Sequence, residues 1–353
     1  MEVGTAIVVA PAPNGVGGLG AAAGQMAAGL EAHGLVVRYL DFDGRATSAQ
    51  RLLRTRAGRR LATLSRVVDR RVLRSRIDSD WSLAYAIPGY LPRHATRRQV
   101  RVLHAASHHP RVALESIAAA RRRAGGGRGF VTRFDVGALE RELRLADVLR
   151  AECEAVASEL RGDEMVRGRV IVASPGVDLK RFSPGRKADE LTVAFVGTFS
   201  LWKGLDILVE LERRISGDAV LATVGGPVCP WSRRLAQTAT FQGHCDVPKL
   251  LARAHALVLP SATDGFGYVV LEAMAAGAVP FCTPEVGAAE LVRRISPELV
   301  QPAAQFADAV AEMLRSLPLD ELGRRARGIA EEFDGIKMRV AAAGKVISAA
   351  RDL

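Results

Sequence analysis

The chain has 353 residues, of which 48% are hydrophobic, 25% charged and 5% aromatic. That length supports two buried aliphatic cores, and that apolar content excludes a wholly disordered chain. Basic residues outnumber acidic ones by 49 to 38, a net charge of +11.

The cysteines, Cys153, Cys229, Cys245 and Cys282, form no Cys-x-x-Cys pair and join no histidine cluster with zinc spacing. Free thiols in a reducing, cytoplasmic setting are therefore expected. The first apolar run, residues 5–10, is too short and too early for a signal peptide, and no stretch approaches a membrane span without a charge or glycine break.

In chain order, residues 5–10 (TAIVVA) read as a buried strand, followed by the glycine-rich turn NGVGGLG at 14–20 and a helix from about Ala21 to Ala32. Residues 35–42 form the next strand. Eleven arginines then fall between Arg45 and Arg76, while Ala57, Leu61, Leu64, Val68 and Val72 mark one helical face. The simpler reading of 51–76 is a solvated surface helix packed on a core. The sharper one is a cationic face for an anionic partner, with contact at the inner face of a membrane. Nucleic acid is not expected as a partner, because aromatics are not interleaved with the charges and no motif matches.

Strands are expected at 82–89, 100–107 and 169–176, with helical segments at 110–124 and 136–162. The polar, Pro- and Gly-containing stretch after Asp178 reads as a domain boundary. The alternation then restarts, with strands at 191–197, 219–226, 240–243, 256–261 and 278–283 and a helix at 203–215. The last fifty residues look helical. Two successive β-α-β series with apolar strands imply two doubly wound parallel-sheet α/β domains.

In such domains ligands bind beyond the carboxyl ends of the strands, so the residues after each strand are the ones to inspect. Gly17 and Gly18 precede the first helix, where backbone amides can approach a diphosphate; a tight structural turn explains them equally well. Thr198 and Lys203 follow the strand ending at Gly197, and a lysine there can neutralise phosphate oxygens as a point charge. The stretch SATDGFGYVVLEAMAAG at 261–277 is the most informative. Its loop Asp264-Gly265-Phe266-Gly267 precedes a helix from about Tyr268, and Glu272 lies about one turn in. Two carboxylates beside an anion-binding helix start suit hydrogen bonds to sugar or ribose hydroxyls. Asp264 could equally be a helix cap. A further cluster, His104, His108 and His109, sits at another strand end.

The order of the glycine loop, ASPGVDLKRFSP, VGTFSLWKGLDIL, FQGHCDVPKLLARAHALVLPS and DGFGYVVLEAMAAGAVP resembles the GT-B glycosyltransferases of family four (glycosyl transferases group 1). The resemblance covers nearly the whole chain and is strongest from Arg169 to Val292. It implies two Rossmann-like domains facing across a cleft: an acceptor domain at 1–178, a nucleotide-sugar domain at 179–335, and a C-terminal helix at 336–353 returning to the first. It also implies helix-strand-helix over 142–160.

The implied reaction is a retaining, metal-independent transfer from a nucleotide-diphosphate sugar to a hydroxyl acceptor of unknown class, with no resident cofactor. Lys203 would contact the donor diphosphate, Asp264 the donor-sugar hydroxyls and Glu272 the ribose. Phe266 and Gly267 would offer backbone amides, Gly243 and His244 would lie at the nucleobase, Gly17 and Gly18 at the phosphate, and His108 at the transferred sugar. Two positions depart from the family pattern. Thr198 stands where arginine is usual, and Asp264 is one methylene shorter than the usual glutamate. Rival readings are a nucleotide-sugar epimerase on a similar fold and a non-catalytic nucleotide-sugar-binding subunit.

Overall fold

A computed structural model describes residues 4–10, 18–41, 82–86, 91–92, 95–96, 99–126, 136–227, 229–238, 242–243 and 246–353. The arginine-rich segment 51–76, Gly17 and His244 lie outside them. The chain divides into two compact units. One contains Met1–Ala106, Asp135–Pro175 and Met338–Leu353, and the other contains Ser107–Phe134 and Gly176–Lys337. Residues 107–134 thus group with the second unit although they lie within 1–178.

In the first unit the described strands are β1 (Thr5–Ala10), β2 (Val36–Asp41), β3 (Leu83–Ala86), β4 (Val100–Ala105), β5 (Val148–Ala151) and β6 (Arg169–Val172), in the order β2-β1-β3-β4-β5-β6. All neighbours are parallel. Every position of β3 and β5 is buried, which is why these strands read as short apolar runs without alternation. The alanine-rich helix Gly18–Ala32 follows β1 and starts at Gly18, three residues before the expected Ala21. Its Met26 and Leu30 pack with Val8 and with Ala342, Ala343, Val346 and Ile347 of the last helix, Gly335–Arg351. Alanine favours the helix and lets these surfaces approach closely.

The helical stretch expected over 136–162 is interrupted by a strand, in the helix-strand-helix order that the family resemblance implies over 142–160. The chain forms helix Val136–Leu145, strand β5 and helix Glu154–Arg161. The misleading residues are Arg150 and Glu152, which resemble a solvated helix face but are only 4% and 1% exposed. The Arg150 guanidinium donates to the Ala173 carbonyl at 2.8 and 3.1 Å and to the Tyr85 hydroxyl at 2.8 Å. It lies 3.4 Å from Glu152, which in turn lies 3.1 Å from His104 Nε2. Burial lowers the His104 pKa and pushes the Tyr85 hydroxyl up to about 12.

In the second unit the described strands are β7 (Thr192–Val196), β8 (Val220–Val224), β9 (Gln242–Gly243), β10 (Ala256–Leu259) and β11 (Val279–Cys282), in the order β11-β10-β7-β8-β9 and all parallel. The winding reverses between β7 and β10, which makes a switch point at their carboxyl ends. Helices Leu205–Ile215, Phe306–Ser316 and Leu319–Glu331 each carry an apolar face that meets the core. Among the described residues no helix is long and apolar enough to cross a membrane.

Candidate functional site

The switch point of the second unit brings together the residues that follow β7 and β10. After β7, Gly197 N–H still bonds Val224 O at 2.9 Å and Phe199 N–H bonds Gly226 O at 2.8 Å, so the strand-end loop is held beside β8. Thr198 is exposed between them, and its hydroxyl lies 3.3 Å from the buried Ser200 hydroxyl. The helix expected from Lys203 is in two parts. A 3-10 turn, Leu201–Lys203, ends at Gly204 with φ +75°, and the α-helix begins at Leu205. Only glycine fits there, because a Cβ at Gly204 would lie 2.1 Å from the Pro260 carbonyl oxygen. The close approach is completed by Ala262 N–H donating to Trp202 O at 2.8 Å. Lys203 is thereby carried to the loop after β10.

That loop is built like a short extra strand. Asp264 pairs in parallel with Val286, Asp264 N–H donates to Glu285 O at 3.0 Å, and Gly287 N–H donates to Asp264 O at 3.0 Å. Phe266 is buried, and its carbonyl accepts from Ala288 N–H at 2.7 Å. Gly267, at φ +81°, turns the chain into helix Tyr268–Ala275. A Cβ there would lie 2.8 Å from Val286 Cγ1. The Lys203 ammonium and Asp264 Oδ2 form a short ion pair, with their side chains 23% and 16% exposed. Helix Tyr268–Ala275 has no side-chain cap, so the capping reading of Asp264 fails: its carboxylate partners Lys203.

Glu272 is partly buried on the same helix. Burial pushes its carboxyl up to about 7, against the opposing pull of the Arg181 charge. Its carboxyl makes no hydrogen bond among the described residues.

His108 reaches the same place. It is 6% exposed, and its Nε2 lies 2.9 Å from Glu285 O, the carbonyl that also accepts from Asp264. A carbonyl only accepts, so Nε2 carries the proton. The next helix, Pro110–Arg123, is capped by His109 and fixed to the second unit at its other end. Ala120 packs with Leu201 and Ala262, and Arg123 Nε pairs with Asp206 Oδ2 at 2.7 Å. Glu285, Arg123 and Asp206 were not singled out from the sequence. Glu285 follows β11 at a strand end, which is a local signal in the sequence; Arg123 and Asp206 carry none.

Gly243 lies on β9 opposite Thr223. Gly18 opens the first helix of the other unit. Among the described residues no three His, Cys, Asp or Glu side chains are grouped as a metal site would require.

Residues 190–316 match the family Glycosyl transferases group 1. The matched stretch is 127 of the chain's 353 residues. It contains the β7 and β10 strand ends, Lys203, Asp264 and Glu272. The D-inositol 3-phosphate glycosyltransferase of Actinosynnema mirum is 34% identical over 177 residues, covering 41% of this chain and 41% of that protein. The enzyme of the same name from Mycobacterium bovis BCG is 32% identical over 176 residues, covering 42% and 36%. The match therefore spans about two fifths of the length of these relatives.

Sucrose-phosphate synthase from Thermosynechococcus elongatus superimposes with a TM-score of 0.70 at 18% identity, over 98% of both chains. Anabaena HepE in complex with UDP and glucose gives 0.64 at 16%, over 98% of this chain and 100% of that one. The Escherichia coli trehalose-6-phosphate structure bound with UDP-2-fluoro glucose gives 0.66 at 12%, over 99% of both. At these identities the likeness carries the fold, which is GT-B: two Rossmann-like parallel-sheet units.

Proposed function

We propose that the protein is a retaining glycosyltransferase that moves a sugar from a nucleoside-diphosphate sugar to a hydroxyl-bearing acceptor without a metal ion. The observation that carries this is the placement of Lys203 and Asp264 at the β7/β10 switch point, beside the start of helix Tyr268–Ala275, within the stretch that matches group 1. Anions are favoured at such helix starts. UDP and a UDP-sugar occupy two proteins of the same fold, which makes UDP-sugars the first donors to try.

In this reading the bond between the sugar's anomeric carbon and the diphosphate oxygen breaks, and negative charge develops on that oxygen. Lys203 and the backbone amides after Asp264 stabilise it, as preorganised donors in a partly dry site. The acceptor oxygen attacks from the face the diphosphate leaves. Its proton passes to the departing phosphate oxygen, so no strong protein base is required. Asp264 accepts from donor-sugar hydroxyls, Glu272 accepts from the ribose, and His108, which bonds the Glu285 carbonyl beside Asp264, approaches the transferred sugar. Gly243 and His244 are assigned to the nucleobase, and Gly17 and Gly18 to the phosphate. The reaction is assigned to the cytoplasm, and an anionic membrane is the alternative partner to test for the arginine-rich segment 51–76.

A thermal-shift screen of nucleotide sugars tests the donor assignment, because a ligand of the folded state raises the melting temperature by mass action. A concentration-dependent rise with at least one nucleoside-diphosphate sugar is expected. A flat response to UDP-, ADP- and GDP-sugars at millimolar concentration would overturn it.

A further inference from the structure

The Asp264 carboxylate is paired, through Oδ2, with Lys203, the cation that the donor reading gives to the diphosphate. The same oxygen lies 3.7 Å from where a Cβ on Gly267 would be, and Gly267 opens helix Tyr268–Ala275. The cation that would attract an anion at this point is thus already paired in the unliganded chain. The neighbouring charge is already matched, since Arg123 pairs with Asp206 in the first turn of helix Leu205–Ile215.

Building on the donor site of the preceding section, we propose that Asp264 sets selectivity for a nucleotide sugar over the bare nucleoside diphosphate, by holding the diphosphate's cation, Lys203, in the unliganded protein. A diphosphate that enters must draw Lys203 away from Asp264, and so leaves a partly buried carboxylate beside a second anion. That is costly unless the ligand also brings hydrogen-bond donors for the carboxylate. The hydroxyls of a sugar supply them, and a nucleoside diphosphate does not. After transfer the sugar is gone, Asp264 reclaims Lys203, and the product is released. Asp264 is therefore a specificity-determining residue as well as a sugar contact.

The test is calorimetric titration of UDP and UDP-glucose, with the ADP and GDP pairs alongside, into the parent, Asp264→Asn, Asp264→Ser and Lys203→Met, and into the double variant Asp264→Asn with Lys203→Met. Loss of the competing charge should tighten nucleoside-diphosphate binding by about three- to tenfold, the order of one exchanged charge contact. The preference for the nucleotide sugar should shrink, and the gain should vanish when Lys203 is also replaced. Unchanged or weaker diphosphate binding in both Asp264 variants, at parental melting temperature, would overturn this inference alone. Failure of every nucleotide and nucleotide sugar to bind the parent would overturn the donor site and this inference with it.

Discussion

His108 and Asp264 share one hydrogen-bond acceptor, the carbonyl of Glu285: the imidazole Nε2–H reaches it at 2.9 Å and the Asp264 N–H at 3.0 Å. Residues more than 150 positions apart in sequence are thus joined through the loop after β11, and the loop that carries the Asp264 carboxylate is held from both sides.

Replacing His108 by alanine should loosen that loop. The buried hydrogen bond is worth about 1–3 kcal/mol when one partner is deleted, and the expected loss of stability by urea denaturation is of that size. Donor affinity should fall with it, while His108→Gln, which keeps a donor, should recover part of both. An alanine variant with parental stability and donor affinity would show that the tether does not matter.

Glu272 should make the protein less stable as the medium becomes alkaline. Its folded-state pKa is raised from 4.5 to about 7, so the folded state binds the proton more tightly than the unfolded chain. Stability should therefore decline between those two values and reach its full deficit above pH 7. Allowing for solvent screening of a partly exposed group, Glu272→Gln should gain about 1–2 kcal/mol at pH 8 and nothing near pH 4. Nucleotide-sugar affinity should show the opposite trend, rising with pH in the parent as the carboxylate ionises, with the Gln variant flat. Melting curves and titrations at pH 6 and 8 read both effects.

The Arg150 cluster yields a stability prediction with no link to the donor. Arg150→Met should leave Glu152 buried without the guanidinium and the Ala173 carbonyl without its two donors. Breaking a buried pair in this way costs about 3–5 kcal/mol, which chemical denaturation would detect as a large shift in midpoint. A shift below 1 kcal/mol would mean the cluster is not structurally important.

This cluster also shows where sequence reading reached its limit. Both sheets, and the positions of Lys203, Asp264 and Glu272 after their strands or inside their helix, were legible, because apolar strand runs and glycine turns are local signals. The strand inside 136–162 is hidden from periodicity because the charges of Arg150 and Glu152 imitate a solvated face, and only the family resemblance implies it. Only the distant Tyr85, His104 and Ala173 reveal that they are internal. The capping alternative for Asp264 stayed open for the same kind of reason: its partner Lys203 is 61 residues away and reaches it only because glycine at 204 lets the backbone close on Pro260. The grouping of residues 107–134 with the second unit likewise depends on Ala120 meeting Leu201 and on the Arg123–Asp206 pair.

The arginine-rich segment offers a separate prediction from charge alone. If it meets an anionic membrane, co-sedimentation with liposomes should rise with the anionic lipid fraction and fall as salt is added, because the Debye length shrinks. Equal pelleting with neutral and anionic liposomes would leave the segment with only a structural role.

The central claim, metal-independent transfer with retention at the Lys203–Asp264 site, is tested most directly by following hydrolysis of a nucleoside-diphosphate sugar in excess EDTA by proton NMR, with water in place of the acceptor. The first-formed free sugar should carry the donor's anomeric configuration, the rate should be unaffected by the chelator, and Lys203→Ala should lower it by about ten- to a hundredfold, the value of one charge-assisted contact. An inverted first product, or a reaction that stops in EDTA and resumes with magnesium or manganese, would contradict the claim.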